Sequence, residues 1–320
     1  MRGDAKDEGS SIFIQIEKTP KVSVCVIAYN QEKYIRQCLQ SIIDQQTNFE
    51  FDVVVGDDYS TDETPQIIQE FADRYPGRVT LILNKSKIGG TRNYVSTHLK
   101  ARGEYVAHLD GDDLAYPGKL QRQAGLLDQR KNLAMVWHIM KIFDDDSKSV
   151  GQTHLFLGDI VDTQNVTLRD VLRFGSLGAA SSVMYRRAFV SYLSDICGDA
   201  LDFYFTARIL EYGDGARINE VLGGYRLNPG AVTLSKNKTP YFSRSPMRSV
   251  YAAHLAALYD RNKNFRIEIF LNSFFNLCVE VRFLRPTIVP FFLVALRTFS
   301  VAALTRIPGY LSQAFRLRAK

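Results

Sequence analysis

The sequence predicts an α/β domain built on a mainly parallel sheet flanked by helices, followed by a helical C-terminal extension. Three observations carry this expectation. Short β-branched apolar runs alternate with helix-spaced apolar residues through about residue 130, the pattern of a parallel sheet covered on both faces. Polar residues gather just after those runs, where open α/β sheets bind their ligands. From residue 247 onward the pattern is helical, and it ends in a basic tail.

Residues 22–28 (VSVCVIA) read as a buried strand, and Ile35, Leu39, Ile42 and Ile43 share one face of the helix that follows. Residues 51–55 (FDVVV) form the second strand. Ser60-Thr61-Asp62-Glu63 then offers a capping box for a helix carrying Ile67, Ile68, Phe71 and Tyr75, closed by Pro76-Gly77. Residues 78–83 are a third strand, 92–101 a helix and 104–109 (EYVAHL) a fourth strand. Pro117 suits the first turn of a helix whose apolar face is Leu120, Ala124 and Leu127. Beyond residue 140 the alternation weakens. Residues 144–170 read as polar loop, 179–185 as a strand, 201–212 as a helix, 217–227 as short strands and 247–280 as helix.

Net charge is +6, but seven basic residues and no acidic ones lie between Val281 and Lys320, which leaves the first 280 residues at −1. A localised basic tail argues against a nucleic-acid binder and for contact with an anionic surface. The four cysteines are dispersed, without a Cys-x-x-Cys pair, and fit a reducing compartment. The polar first 20 residues read as a loose arm without the apolar core of a signal peptide.

LDGDDLAYPGKL places Asp110, Asp112 and Asp113 in a tight turn after an apolar strand. Carboxylates this close repel unless a cation or hydrogen-bond donors neutralise them. An all-oxygen set favours Mg²⁺ or Mn²⁺, with phosphate and water completing the shell. The alternative is a solvated acidic turn in which Asp113 caps the next helix. Asp57-Asp58 is similarly open between holding a nucleotide and capping the helix near Ser60.

Together, KVSVCVIAYNQEKYIRQCLQSI, VVVGDDYSTDET and GEYVAHLDGDDLAYPGKL resemble the nucleotide-binding half of glycosyltransferase family 2, which has the GT-A fold with a Rossmann-like sheet. The likeness covers residues 20–130 and continues more weakly to about 235. It implies a flexible arm over residues 1–20, a catalytic domain over 21–235 and an extension over 236–320. The catalytic domain would divide into a nucleotide half (21–130) and an acceptor half (131–235). By the same resemblance, Tyr29 lines the base pocket, Asp58 holds a uracil-type base with help from Asp57, and Arg92 approaches the diphosphate. Asp110 and Asp112 form an Asp-x-Asp motif, with Asp112 on the metal and Asp110 on the ribose or the metal shell. Asp202 in LDFYFTARIL is the expected base, six positions before Arg208, although Leu201 stands where an acid is common and Asp199 lies nearby. Arg226 in GGYRLNPGAVT pairs with phosphate or is an ordinary surface arginine.

The implied reaction is metal-dependent, inverting transfer from a nucleotide-sugar, UDP-linked, to a hydroxyl of a saccharide or lipid-linked saccharide in cell-surface polysaccharide synthesis. Trp137 is the only tryptophan and lies outside any Gln-x-x-Arg-Trp motif, so a non-processive enzyme is expected. Two other classes compete. A silent nucleotide-sugar-binding module would not need Asp202. A dinucleotide oxidoreductase would need a Gly-x-Gly-x-x-Gly turn, and AYNQEKY stands there instead. Residues 286–304 are apolar, but two prolines and Arg297 interrupt them. They read as an interfacial segment in which Phe291, Phe292 and Leu296 enter lipid, or as a helix packed on the domain. The expected location is cytoplasmic, peripheral at the inner face of the plasma membrane, with membrane contact through residues 282–320.

Overall fold

The structure is a computed structural model that describes residues 19–144, 149–153, 159, 161–175, 177–194, 202–227, 245–282 and 287–318. Residues 1–18 of the expected arm (1–20), the domain boundary near 235, Asp199 and Leu201 lie outside these residues.

The first half follows the sequence pattern. In order come β1 (Val22–Ala28), α1 (Ile35–Ile43), β2 (Phe51–Asp57), α2 (Thr64–Arg74), β3 (Val79–Leu83), α3 (Gly90–His98), β4 (Tyr105–Asp110), β5 (Leu114–Ala115) and α4 (Lys119–Gln129). Strand alternation sorts the core into two layers. Val24, Val26, Val53, Val55, Ala107 and Leu109 face α1, α2 and α4, while Cys25, Val54 and Val106 face the other side.

The second half contains β6 (Leu133–Asp144), β7 (Ser149–Gln152), α5 (Leu168–Phe174), β8 (Met184–Arg186), α6 (Asp202–Ile209) and β9 (Asp214–Leu227). The sheet order is β3-β2-β1-β4-β8-β6-β9-β5, with β7 on β6. Strands β3, β2, β1 and β4 are parallel, β8 is antiparallel to β4 and β6, and β6 and β9 are parallel to each other. The sheet is thus parallel in the predicted half and mixed beyond it.

Several local expectations need correction. No capping box forms at Ser60, because α2 begins at Thr64 after Glu63, whose side chain makes no cap bond. Ser60 is used elsewhere: its hydroxyl donates to Asp57 and accepts from the Asn30 amide. Pro117 lies before α4, which opens behind Gly118 at φ +86°. Residues 180–182 make a short 3-10 turn, so the strand expected over 179–185 is reduced to Met184–Arg186. The short strands expected over 217–227 are one long strand, β9.

The C-terminal helices are α7 (Ser245–Arg261), α8 (Arg266–Arg282), α9 (Ile288–Thr298), α10 (Val301–Leu304) and α11 (Ile307–Arg318). They share the core of the sheet domain: Tyr251, Leu255, Ile269, Phe291 and Val294 belong to the same buried cluster as Trp137 and Phe203. Ion pairs reinforce the junction. Buried Glu268 on α8 meets Arg169 at 2.6 Å and Arg173 at 3.6 Å on α5. Asn272 donates to the Leu172 carbonyl at 2.7 Å.

Candidate active site

Strand register brings the expected site residues to one edge. Ala28 pairs with Asp57, and Ile27 pairs with Asp110. Tyr29, Asp58 and Asp110 therefore leave three adjacent strands at nearly the same level, within about 10 Å across two strand spacings.

The nucleotide-side loops are cross-linked. Asn30, at φ +52°, accepts from the Thr61 amide at 2.9 Å, and the Asp57 carboxylate accepts from the Ser60 amide at 2.9 Å. Asp57 is buried and committed to this turn, which matches the capping alternative in chemistry if not in position. Buried Asp58 accepts from the Ile88 amide at 2.8 Å and the Gly89 amide at 3.0 Å, fixing the loop ahead of α3. A carboxylate has about four acceptor sites, so capacity for a further donor remains. Tyr29 is exposed, with the Lys87 ammonium 3.6 Å from its ring centre. Arg92 stands exposed in the first turn of α3.

Gly111 explains the tightness of the carboxylate turn. A Cβ there would sit 2.3 Å from Gln31 Oε1, 2.9 Å from Ile35 Cδ1 and 3.1 Å from the Ile27 carbonyl. The small residue lets the turn lie against the end of β1. Asp110 and Asp112 are partly exposed, whereas Asp113 is buried. The expected helix-capping role of Asp113 is not met, because α4 starts six residues later. Asp113 Oδ1 instead accepts from the Arg226 amide at 2.9 Å, and its Oδ2 is buried without a hydrogen-bond partner. Burial, then the charges of Asp112 and Asp110, raise the Asp113 pKa well above the usual carboxylate range.

Arg226 is no surface arginine. It is buried, its Nε donates to the Asp112 carbonyl at 2.9 Å, and its Nη2 donates to Gln37 at 2.8 Å. The guanidinium lies 4.9 Å from the Tyr34 ring centre and 4.6 Å from that of Phe143. This cation clasps the acidic turn from β9.

Asp202 opens α6 in a cleft lined by Tyr94, His108, Met135, Ala180 and Phe205. The residue lines this cleft and is itself exposed to solvent. Desolvation first, and then the Asp110 charge, push its pKa up to about 6, against the opposing influence of His108. Phe205 lies on the apolar side of α6 as expected, stacked 4.4 Å from Tyr94. Arg208 is buried and pairs with Glu211 at 3.4 Å, on the core side of the helix.

His108 escaped the sequence reading. Its Nε2 lies 3.2 Å from Asp110 Oδ1, and its Nδ1 lies 3.1 Å from His98 Nε2. His98 Nδ1 lies 2.6 Å from the Tyr185 hydroxyl. An ionised carboxylate only accepts, so His108 donates from Nε2. The Tyr185 hydroxyl, His98 and His108 thus form a hydrogen-bonded chain that ends on Asp110. Burial holds His98 well below the usual imidazole pKa. Ser181 also serves this carboxylate, accepting from the Asp110 amide at 2.9 Å and donating to Oδ2 at 3.3 Å. One signal for His108 was available: in a strand, residues i and i+2 share a face, so His108 and Asp110 point the same way.

Among the described residues, no cluster of three or more His, Cys, Asp or Glu side chains could hold a metal. The chain offers Asp110 and Asp112, two hard oxygen donors on a turn open to solvent. That set fits Mg²⁺ or Mn²⁺ only with phosphate and water as the remaining ligands.

Comparison with known proteins gives the family and the fold. The chain is 34% identical over 209 residues to Uncharacterized protein Rv1520 of Mycobacterium tuberculosis, covering 64% of this chain and 58% of the relative. It therefore spans less than two thirds of that relative. It is 28% identical over 222 residues to the UDP-Glc:alpha-D-GlcNAc-diphosphoundecaprenol beta-1,3-glucosyltransferase WfgD of Escherichia coli, covering 68% of this chain and 81% of that one. The S. aureus TarS 1–349 structure with UDP-GlcNAc shares the fold: TM-score 0.57 and 19% identity, over 79% of this chain and 71% of that chain. Glycosyl transferase family 2 matches residues 23–189, more than half of the sequence, and the chain belongs to that family.

Proposed function

We propose that this chain transfers a sugar, with inversion, from a UDP-linked donor to a hydroxyl of a saccharide or lipid-linked saccharide in surface polysaccharide synthesis. The observation that carries the reading is the placement of Asp202, at the start of α6, in a cleft it shares with His108, which in turn bonds Asp110 of the carboxylate turn; there its pKa is pushed up to about 6. A carboxylate of this pKa is mostly ionised at neutral pH and is more basic than an ordinary aspartate, which suits proton removal from an attacking hydroxyl. Family membership, the donor named for WfgD and the nucleotide bound to TarS support the donor class.

In this mechanism Tyr29 and Asp58 receive the base, with Asp57 stiffening the turn behind them. Arg92 meets the diphosphate from the start of α3. Asp110 serves the ribose or the metal shell, held in one orientation by His108 and Ser181. Asp112 is the principal metal ligand. A bound Mn²⁺ or Mg²⁺ would stabilise the charge that grows on the departing diphosphate. Arg226 acts from behind, holding Asp112 through its carbonyl. Asp202 takes the acceptor proton, and a single in-line displacement inverts the anomeric centre. The transfer is of one sugar or a few.

The test is a screen of UDP-, dTDP- and GDP-sugars for Mn²⁺-stimulated hydrolysis and transfer, repeated with Asp202→Ala. UDP-sugar turnover lost in the variant is expected. Undiminished turnover by Asp202→Ala would remove the base assignment, and UDP binding without turnover by the native chain would favour the silent binding module.

A further inference from the structure

Helix α9 is apolar on two sides. Its inner side is the packed one: Phe291, Val294, Ala295 and Thr298 are buried, and Phe291 sits in the main core beside Tyr251. The sequence expectation that Phe291 enters lipid is thus overturned, because its ring completes the core. The outer side carries Val289, Phe292, Leu293 and Leu296, all at least half exposed and spaced 3, 4 and 7 residues along the helix. That spacing draws one continuous stripe. Val301, 72% exposed, and Leu304 are the exposed apolar residues of α10, the next helix. Other exposed large hydrophobics, such as Leu83, Leu99 and Val150, are scattered singly. Isolated apolar residues need no explanation, whereas a contiguous stripe marks a contact surface.

Charge identifies the occupant. Arg297 on α9, Arg282 at the end of α8 and Arg306 between α10 and α11 are exposed, and no acidic residue follows Glu280 in the sequence. Asp260, which approaches from α7, is already paired with Arg297 and Lys263. A second copy docked on the same face would set arginines against arginines. An anionic lipid surface would satisfy both features, with apolar side chains below the headgroups and guanidinium groups among them. Length fixes the mode. Eleven helical residues span about 16 Å, half of a hydrocarbon core. No helix among the described residues is long and apolar enough to cross a membrane.

We propose that the outer face of α9–α10 lies in the plane of an anionic bilayer, with Phe292, Leu293 and Leu296 as the inserted residues. This deepens the proposed transfer to a lipid-linked acceptor and rests on that reading for its purpose. Its test is separate.

Flotation of the full chain with vesicles of phosphatidylcholine and phosphatidylglycerol, against phosphatidylcholine alone, reads the docking. Binding to the anionic vesicles is expected. Phe292→Glu/Leu296→Glu should weaken it by at least about tenfold, since two inserted apolar side chains are replaced by charges. Unfolding temperature and soluble UDP-sugar hydrolysis should be unchanged, because both residues face outward. Failure of the native chain to float with anionic vesicles, or equal flotation of the variant, overturns the proposal. So does a dimer by analytical ultracentrifugation that the same substitutions dissolve, which would assign the face to a second copy. Hydrolysis without vesicle binding would sink the docking surface and leave the transfer reading intact. Binding without hydrolysis would do the reverse.

Discussion

If Asp202 is the base, its ionisation controls the rate, and the structure sets the pH at which that happens. Desolvation in the cleft and the charge of Asp110 raise its pKa to about 6, while His108 works the other way. The base must be deprotonated to act, so kcat/KM rises with pH through that value. A group of pKa 6 is roughly 91% ionised at pH 7 and roughly 9% at pH 5, so kcat/KM should fall about tenfold over that interval. An ordinary aspartate near 3.9 would remain more than about 90% ionised at pH 5, with almost no loss. The assay is initial-rate UDP-sugar transfer at subsaturating donor from pH 5 to 8. Two substitutions add signs to the magnitude. Asp110→Asn removes a repelling charge and should shift the midpoint down, whatever it does to the maximal rate. His108→Phe removes the opposing influence and should shift it up. A profile flat between pH 5 and 7, or shifts of the opposite sign, would refute the electrostatic reasoning.

The other predictions concern parts that hold the site. His108→Phe leaves Asp110 without a charge-assisted donor and His98 Nε2 without its partner, so kcat/KM should fall about 10- to 100-fold, from roughly 1.5–3 kcal/mol, in the same transfer assay. Arg226→Met strips donors from the Asp112 carbonyl and Gln37, and urea unfolding should show a loss of about 2–4 kcal/mol with a weakened response to Mn²⁺. Arg226→Lys should recover only part of this, because an ammonium cannot reproduce the guanidinium fork. Glu268→Ala leaves Arg169 and Arg173 without their shared buried partner, and urea unfolding should report a loss of about 3 kcal/mol; an unchanged midpoint would mean that α8 docks by its apolar face alone.

The parallel half of the sheet was legible because its strands are buried on both faces, so apolar runs announce them without tertiary knowledge. Strand ends could be placed, and with them Tyr29, Asp58 and Asp110. Helix starts were less legible. The Ser60 hydroxyl, a plausible cap by spacing, is drawn away by Asp57 at the end of β2 and by Asn30 beyond β1. Long β9 was broken in the reading because Asn219 and Glu220 are exposed and Gly223-Gly224 resembles a turn. Those glycines have another cause. A Cβ on Gly223 would meet the Leu114 carbonyl at 3.0 Å, and one on Gly224 the Phe143 ring at 2.7 Å. The cap expected of Asp113 and the surface alternative for Arg226 fail together, since the two residues meet across 113 residues of chain. The bifacial character of α9 was also hidden, because an apolar run does not say which side faces the core.

The clasp made by Arg226 has a consequence for how the molecule is assembled. The acidic turn belongs to the first 130 residues, yet the bonds to Asp112 and Asp113 come from Arg226 on the last strand of the sheet, whose side chain also reaches back to Gln37. Contacts of such wide sequence separation form late, after the loops between them have closed. A ribosome that has released only the first half of the chain has released the carboxylates without the clasp that closes over Asp112 and Asp113. The finished geometry of the turn should therefore arrive near the end of folding, as a property of the complete sheet.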